Sequence, residues 1–99
     1  MWLGTLSQCY YLARDYERAA EVARLGVQRA PHYPIVQRSL ANALGQLGRL
    51  EEAREALGNF LALMPNYTTE QAARRSVAFR REEDFQHYIE GLRKAGWRG

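Results

Sequence analysis

Ninety-nine residues, 46% of them hydrophobic and 25% charged, describe a single soluble globular domain and exclude a disordered or low-complexity chain. The net charge of +3 comes from thirteen arginines and the single Lys94 interleaved with eleven carboxylates, which argues against the concentrated basic face a nucleic-acid partner needs. A lone Cys9 excludes an internal disulfide, no apolar run approaches the roughly 18 residues of a membrane span, and Met1 to Gly4 carry no basic leader, so the expected location is the cytoplasm.

The first element is a helix lined by Leu3, Leu6 and Tyr10 at helical spacing. Asp15 is placed to cap a second helix, whose apolar stripe is Ala19, Val22, Ala23 and Val27 and whose end is set by Pro31. Pro34 suits the first turn of a third helix, in which Leu40, Leu44 and Leu47 form the stripe and Gly48 supplies the left-handed residue that ends it. Glu51 and Glu52 then fall in the first turn of a fourth helix, where the helix dipole favours negative charge. Ala53, Leu57, Phe60, Leu61 and Met64 carry its apolar face, and Pro65 stops it.

These four elements are two copies of one unit. A shift of 34 residues lays Leu6 on Leu40, Ala19 on Ala53, Pro31 on Pro65 and Tyr33 on Tyr67, with Ser7 on Ala41 and Tyr10 on Leu44 between them. The small residue at Ala19 and Ala53 is expected where the two helices of each hairpin approach closely. A third unit is weaker, because the same shift puts Arg74 where Leu40 stood and His87 where Ala53 stood. Thr68 or Thr69 can cap a short helix near 69–77, with Gln71 three residues after Thr68 as in a capping box. Phe85, Tyr88, Ile89 and Leu92 give a stripe for a last helix near 82–95, and Gly96 is its stop. The expected architecture is all-α: six helices in three antiparallel pairs, one domain over 1–99, with repeat one at 1–33, repeat two at 34–67 and a degenerate third unit with its capping helix at 68–99.

Catalytic ingredients are sparse. Cys9 and His87 are the nominal nucleophile and base, and the pattern places them far apart, as a small core or boundary residue and a surface imidazole. His32 has no ligand at zinc spacing, and Glu51-Glu52 and Glu82-Glu83 are adjacent pairs that point in different directions on a helix. Gly45 and Gly48 lack the lysine and strand of a phosphate loop. No enzymatic activity, metal or cofactor is expected. Arg74, Arg75, Arg80 and Arg81 are followed at once by Glu82, Glu83 and Asp84, which reads as a helix surface and an acidic helix start.

The 34-residue period, the small residue in each first helix, the Gly48-Arg49-Leu50-Glu51-Glu52-Ala53 turn and the closing prolines together resemble the tetratricopeptide repeat family. The resemblance covers roughly two-thirds of the chain. Gly26 and Phe60 stand where that family places alanine, and Gln37 where it places an aromatic. It implies a short right-handed solenoid of stacked hairpins and a protein or peptide partner, with no nucleic acid and no membrane. Phe79-Arg80, Asp84-Phe85 and Tyr88-Ile89-Glu90-Gly91-Leu92-Arg93-Lys94-Ala95-Gly96 further resemble the tail of bacterial proteins of the class III adenylate cyclase type. That likeness implies the C-terminal helical region of a longer bacterial regulatory protein, and Met1 at the very start of a first helix fits the same expectation.

In stacked repeats the first helices line a concave groove. Its expected binding residues are Gln8, Tyr11, Arg38, Asn42 and Gln46, flanked by Leu12, Ser39, Ala72, Ser76 and Phe79. Arg38 and Asn42, one turn apart, either hold a carboxylate or peptide backbone together or stand solvated; as a pair they resemble part of the carboxylate clamp of some tetratricopeptide domains, while Ala73 departs from it. Tyr33 and Tyr67 are expected over the turns between repeats. The alternative function is self-association into a homodimer through open ends, with Trp2 and Trp97 as the residues near those ends.

Overall fold

The structure, a computed structural model, describes residues 3–99; Trp2 lies outside the described residues. Six helices follow one another: α1 (Leu3–Leu12), α2 (Tyr16–Arg29), α3 (Pro34–Leu47), α4 (Leu50–Leu63), α5 (Glu70–Ser76) and α6 (Glu82–Lys94), with no strand among the described residues. The chain is all-α.

The repetition extends to the backbone. Helices α2 and α4 begin and end 34 residues apart, Tyr16 against Leu50 and Arg29 against Leu63. The turn after α1 closes with Arg14 N–H donating to the Tyr11 carbonyl and Asp15 N–H to that of Tyr10, both at 2.9 Å. The turn after α3 repeats this, Gly48 to Gly45 at 3.2 Å and Arg49 to Leu44 at 3.1 Å. This is the Schellman closure of a helix C-terminus. The ends of α2 and α4 match as well: Ala30 donates to Gly26 and Met64 to Phe60, each at 2.8 Å.

The Schellman closure needs a left-handed residue. Gly48 supplies it at φ +76°, and the equivalent position in the first repeat is Arg14 at φ +65°. An L side chain in that region is strained, whereas glycine is not. Arg14→Gly is therefore expected to stabilise the chain by about 0.5–1 kcal/mol, net of the greater freedom glycine has when unfolded. Chemical denaturation of the two proteins checks the sign.

Caps form where short polar side chains precede helices. Asp15 accepts from the Arg18 N–H at 3.3 Å, and Thr69 accepts from the Ala72 N–H at 3.1 Å. Of the two threonines it is thus Thr69 that caps α5. That helix stops after seven residues, and extended backbone at Val77 (φ −136°, ψ 153°) and Arg81 (φ −111°, ψ 136°) brackets the approach to α6.

The first two pairs, α1–α2 and α3–α4, are close-packed hairpins, and α2 packs on α3 to join them. Ala19 and Ala53 are both fully buried, and the Ser7 hydroxyl donates to the Ala19 carbonyl at 2.8 Å. The third pair is looser. Long side chains connect α5 to α6, Glu70 with Arg93 at 3.3 Å and Arg74 with Glu82 at 2.6 Å, in place of close backbone packing. Arg74 also lies 4.1 Å from the Phe85 ring centroid, and together with Gln86 it holds the Glu82 carboxyl down to about 2.

Helix α6 instead packs along α3 and touches α1. This explains a property of α3 that its amphipathic pattern did not suggest: every residue from Val36 to Gly45 is buried, Gln37, Arg38, Ser39 and Asn42 included. A helix is enclosed on all sides only when neighbours surround it, and here α1, α2, α4 and α6 do so. The principal extents, 29 × 27 × 25 Å, are nearly equal for the same reason. Two apolar assignments in α4 differ from the expectation. Met64 is 40% exposed, and Ala56 is buried in the α4 stripe.

Candidate interaction face

Helix α6 lies against α1 and α3, and of the five residues expected to line a groove, Tyr11, Arg38, Asn42 and Gln46 meet it. Tyr11, at the end of α1, is 1% exposed. Its hydroxyl donates to the His87 carbonyl and accepts from the Gly91 N–H at 3.2 Å, so it engages both groups of one rung of α6. Gln46, a residue of α3, donates to the Tyr11 hydroxyl and to Glu90 at 3.1 Å each, and its carbonyl accepts from Lys94 at 2.9 Å. The Arg38 guanidinium sits 5.3 Å from the Tyr88 ring centroid. Asn42 is fully buried, and neither end of its amide finds a hydrogen bond among the described residues. Gln8 is half-buried, with both side-chain polar atoms enclosed and unbonded among those residues.

Close approach is permitted by two glycines. A Cβ on Gly45 would collide with the Gly91 carbonyl oxygen, and a Cβ on Gly91 would meet the Asn42 carbonyl oxygen and lie 2.6 Å from the Tyr11 hydroxyl. The two helices therefore cross backbone against backbone. Glycine inside a helix costs about 1 kcal/mol relative to alanine, so its presence here reflects packing. Tyr88, Ile89 and Leu92 are fully buried on the same side of α6.

The electrostatics follow the burial. Removal from water pushes the Tyr11 hydroxyl far above its ordinary range, and burial does the same to Tyr88 against the opposing influence of Arg38. The hydrogen bond from Gln46, assisted by Lys94, holds the Glu90 carboxyl below its usual value.

No family model, curated protein or solved structure matches this chain.

His87 and Cys9 exchange the environments expected of them. His87 is 7% exposed, stacked on the Tyr11 ring at 4.5 Å between centroids, with Nε2 2.7 Å from the Tyr16 hydroxyl. Cys9 is exposed. The lone histidine of α6 turns inward because Tyr11 and Tyr16 offer it a ring face and a hydrogen-bond partner. Among the described residues, no three His, Cys, Asp or Glu side chains converge as metal ligands. None of their helices is long and apolar enough to cross a membrane.

Burial, followed by the nearby Arg14 charge, lowers the His87 pKa below the ordinary 6.5. The unfolded chain then binds the proton more readily than the folded one. Stability from this group is complete above about pH 6.5 and is lost as pH falls toward the folded value. Denaturant midpoints are expected to drop between pH 7.5 and pH 5.5. His87→Phe, which cannot titrate, is expected to flatten that dependence, and an unchanged slope in the variant would assign the effect elsewhere.

Of the expected flanking residues, Leu12 is exposed on the end of α1, Ser39 is buried in α3, and Ala72, Ser76 and Phe79 belong to α5 and the connection after it. Tyr67 is buried beside Phe60, Tyr88 and Trp97, its hydroxyl 2.6 Å from that of Tyr88 and 2.8 Å from that of Ser76. Tyr33 is 40% exposed. The Trp97 indole N–H donates to the Tyr67 carbonyl at 2.8 Å, so the tryptophan near the C-terminus is part of the core.

Proposed function

We propose that this chain is a protein-interaction module of the tetratricopeptide type whose α1–α3 face grips a helical segment, and that α6 is its occupant in cis. The observation that carries this reading is the set of contacts between that face and α6. Tyr11 holds backbone groups of the helix laid on it, and Gln46 reads one acidic and one basic side chain, Glu90 and Lys94. Such a surface suits a helix with a small residue at its crossing point and charged residues along its rim. A partner helix of that pattern competes with α6, and a longer bacterial regulatory protein, such as one bearing a cyclase domain, is a natural parent for such a module.

The test closes the face reversibly. In a Cys9→Ser background, cysteines at Gln46 and Glu90 are joined by a short reducible cross-linker, which pins α6 in place. Capture of partners from bacterial lysate, already weakened by the loss of Gln46, is expected to vanish in the linked protein and to return to that weakened level on reduction. Capture that ignores the link would place binding on another surface. Self-association is the second reading, favoured by the extended backbone leading from α5 into α6, which lets α6 reach the face of a second copy. A sedimentation coefficient independent of concentration would remove it.

A further inference from the structure

Arg38 is the one charged residue among the five expected to line the groove, and besides meeting Tyr88 of α6 it borders a second space. It is 8% exposed, it has no carboxylate within ion-pair distance among the described residues, and its Nε makes no hydrogen bond. Arginine cannot shed its proton to escape such a setting, and an isolated buried cation is costly. The Tyr88 ring offsets part of that cost. Arg38 also lines a cleft of about 220 Å³ between the start of α3, the end of α4 and α5. Ile35, Phe60 and Met64 are its apolar lining, and Tyr67 and Ser76, whose hydroxyls are hydrogen-bonded to each other, line it with Arg38. A neighbouring depression shares Met64, Tyr67 and Ser76 with this cleft and is also lined by the exposed Arg75, which likewise forms no ion pair among the described residues.

We infer that this cleft is a binding site for a small monocarboxylic acid with an apolar body, its carboxylate on Arg38 and its hydrocarbon portion against Ile35, Phe60 and Met64. A carboxylate accepts two parallel N–H bonds from the planar guanidinium, which neither water nor an aromatic face supplies as well. The volume lies below the roughly 300–1,000 Å³ of drug-sized sites, so the ligand is of fragment size. Arg75, in the neighbouring depression, raises the local concentration of anions without touching the bound one. The site shares Arg38 with the face that α6 covers but opens between α3, α4 and α5, so pinning α6 leaves it open.

The test uses the full chain, phenylacetate as the probe and phenylacetamide as its neutral counterpart, followed by NMR shifts of the Arg38 Nε–H and the Ser76 amide. Saturable shifts in the millimolar range are expected for the acid, with the amide at least about tenfold weaker. Arg38→Met keeps the volume of the stem and removes the charge. It is expected to weaken phenylacetate at least about tenfold while leaving thermal stability equal or higher, because exchanging a buried unpaired charge for an apolar side chain is neutral or stabilising. Should that variant fail to fold, Met64→Trp, which narrows the opening at an exposed position, is expected to produce the same loss with Arg38 intact. Equal binding of acid and amide, or undiminished binding in the substituted protein, overturns the proposal. So does saturation by a short peptide with a free apolar C-terminal residue but not by phenylacetate, which would make the ligand a chain terminus. The α6 cross-link is expected to leave phenylacetate binding unchanged, so this inference and the proposed function fail independently.

Discussion

Gly91→Ala is expected to lower stability by about 3 kcal/mol, the upper end of what overpacking costs, because neither neighbour can yield cheaply. The added methyl would meet the Asn42 carbonyl on one side and the Tyr11 hydroxyl on the other, the first being backbone of the most enclosed helix in the molecule. For a domain of this size that corresponds to a fall in melting temperature of more than about 10 °C. The loss is expected to concentrate in α6, where amide hydrogen exchange should accelerate while α2 and α4 retain their protection. Gly58→Ala is the control. Gly58 is also inside a helix, but a Cβ there meets nothing within 4 Å, so the same substitution is expected to stabilise by about 0.5–1 kcal/mol. Equal and small effects at both positions would show that α6 does not cross α3 as closely as described.

Tyr11→Phe should cost about 1–3 kcal/mol, and Tyr11→Ala about 3–5 kcal/mol. The first change keeps the ring that stacks on His87 and removes only the hydroxyl, leaving the Gln46 amide and the Gly91 N–H without that acceptor. The second also opens a cavity where α1, α3 and α6 meet. Equilibrium denaturation separates the two contributions. A Phe variant as stable as the parent would mean that the hydroxyl does not tie α6 down, and the reading of this face as a helix grip would lose its main support.

What was legible in the sequence was whatever depends on neighbours along the chain. Asp15 as a cap, Gly48 as a left-handed stop, Pro34 in a first turn and the spacing between Ala19 and Ala53 all express interactions across a few residues, and the helices stand within a residue or two of where those signals place them. The meeting of Tyr11 with Gln46 also agrees with helical periodicity, which determines which side chains of α1 and of α3 point together. What covers them was not legible. The decisive contact joins Tyr11 to a backbone amide 80 positions away, and no local pattern encodes such a meeting. One signal did exist: Gly91 interrupts the stripe of Tyr88, Ile89 and Leu92 at a position where alanine would favour the helix, which marks a close approach. His87 misled because a lone imidazole in a polar sequence has no partner until the fold brings Tyr16 to it.

The meeting of α1 with α6 has a consequence for how the molecule comes apart. In an open array each hairpin touches only its neighbours, so ends fray independently and unfolding spreads inward one unit at a time. Here the first helix is bonded to the last, and loosening either terminus costs contacts at the other. The chain is a ring in the sense of its interactions, although its backbone is linear. Local hairpins can assemble quickly from nearby residues, while closing the ring must await the slowest search, that of the most distant pair. Once shut, it couples the opening of α1 to that of α6, while α2 and α4 keep the protection of their own packing.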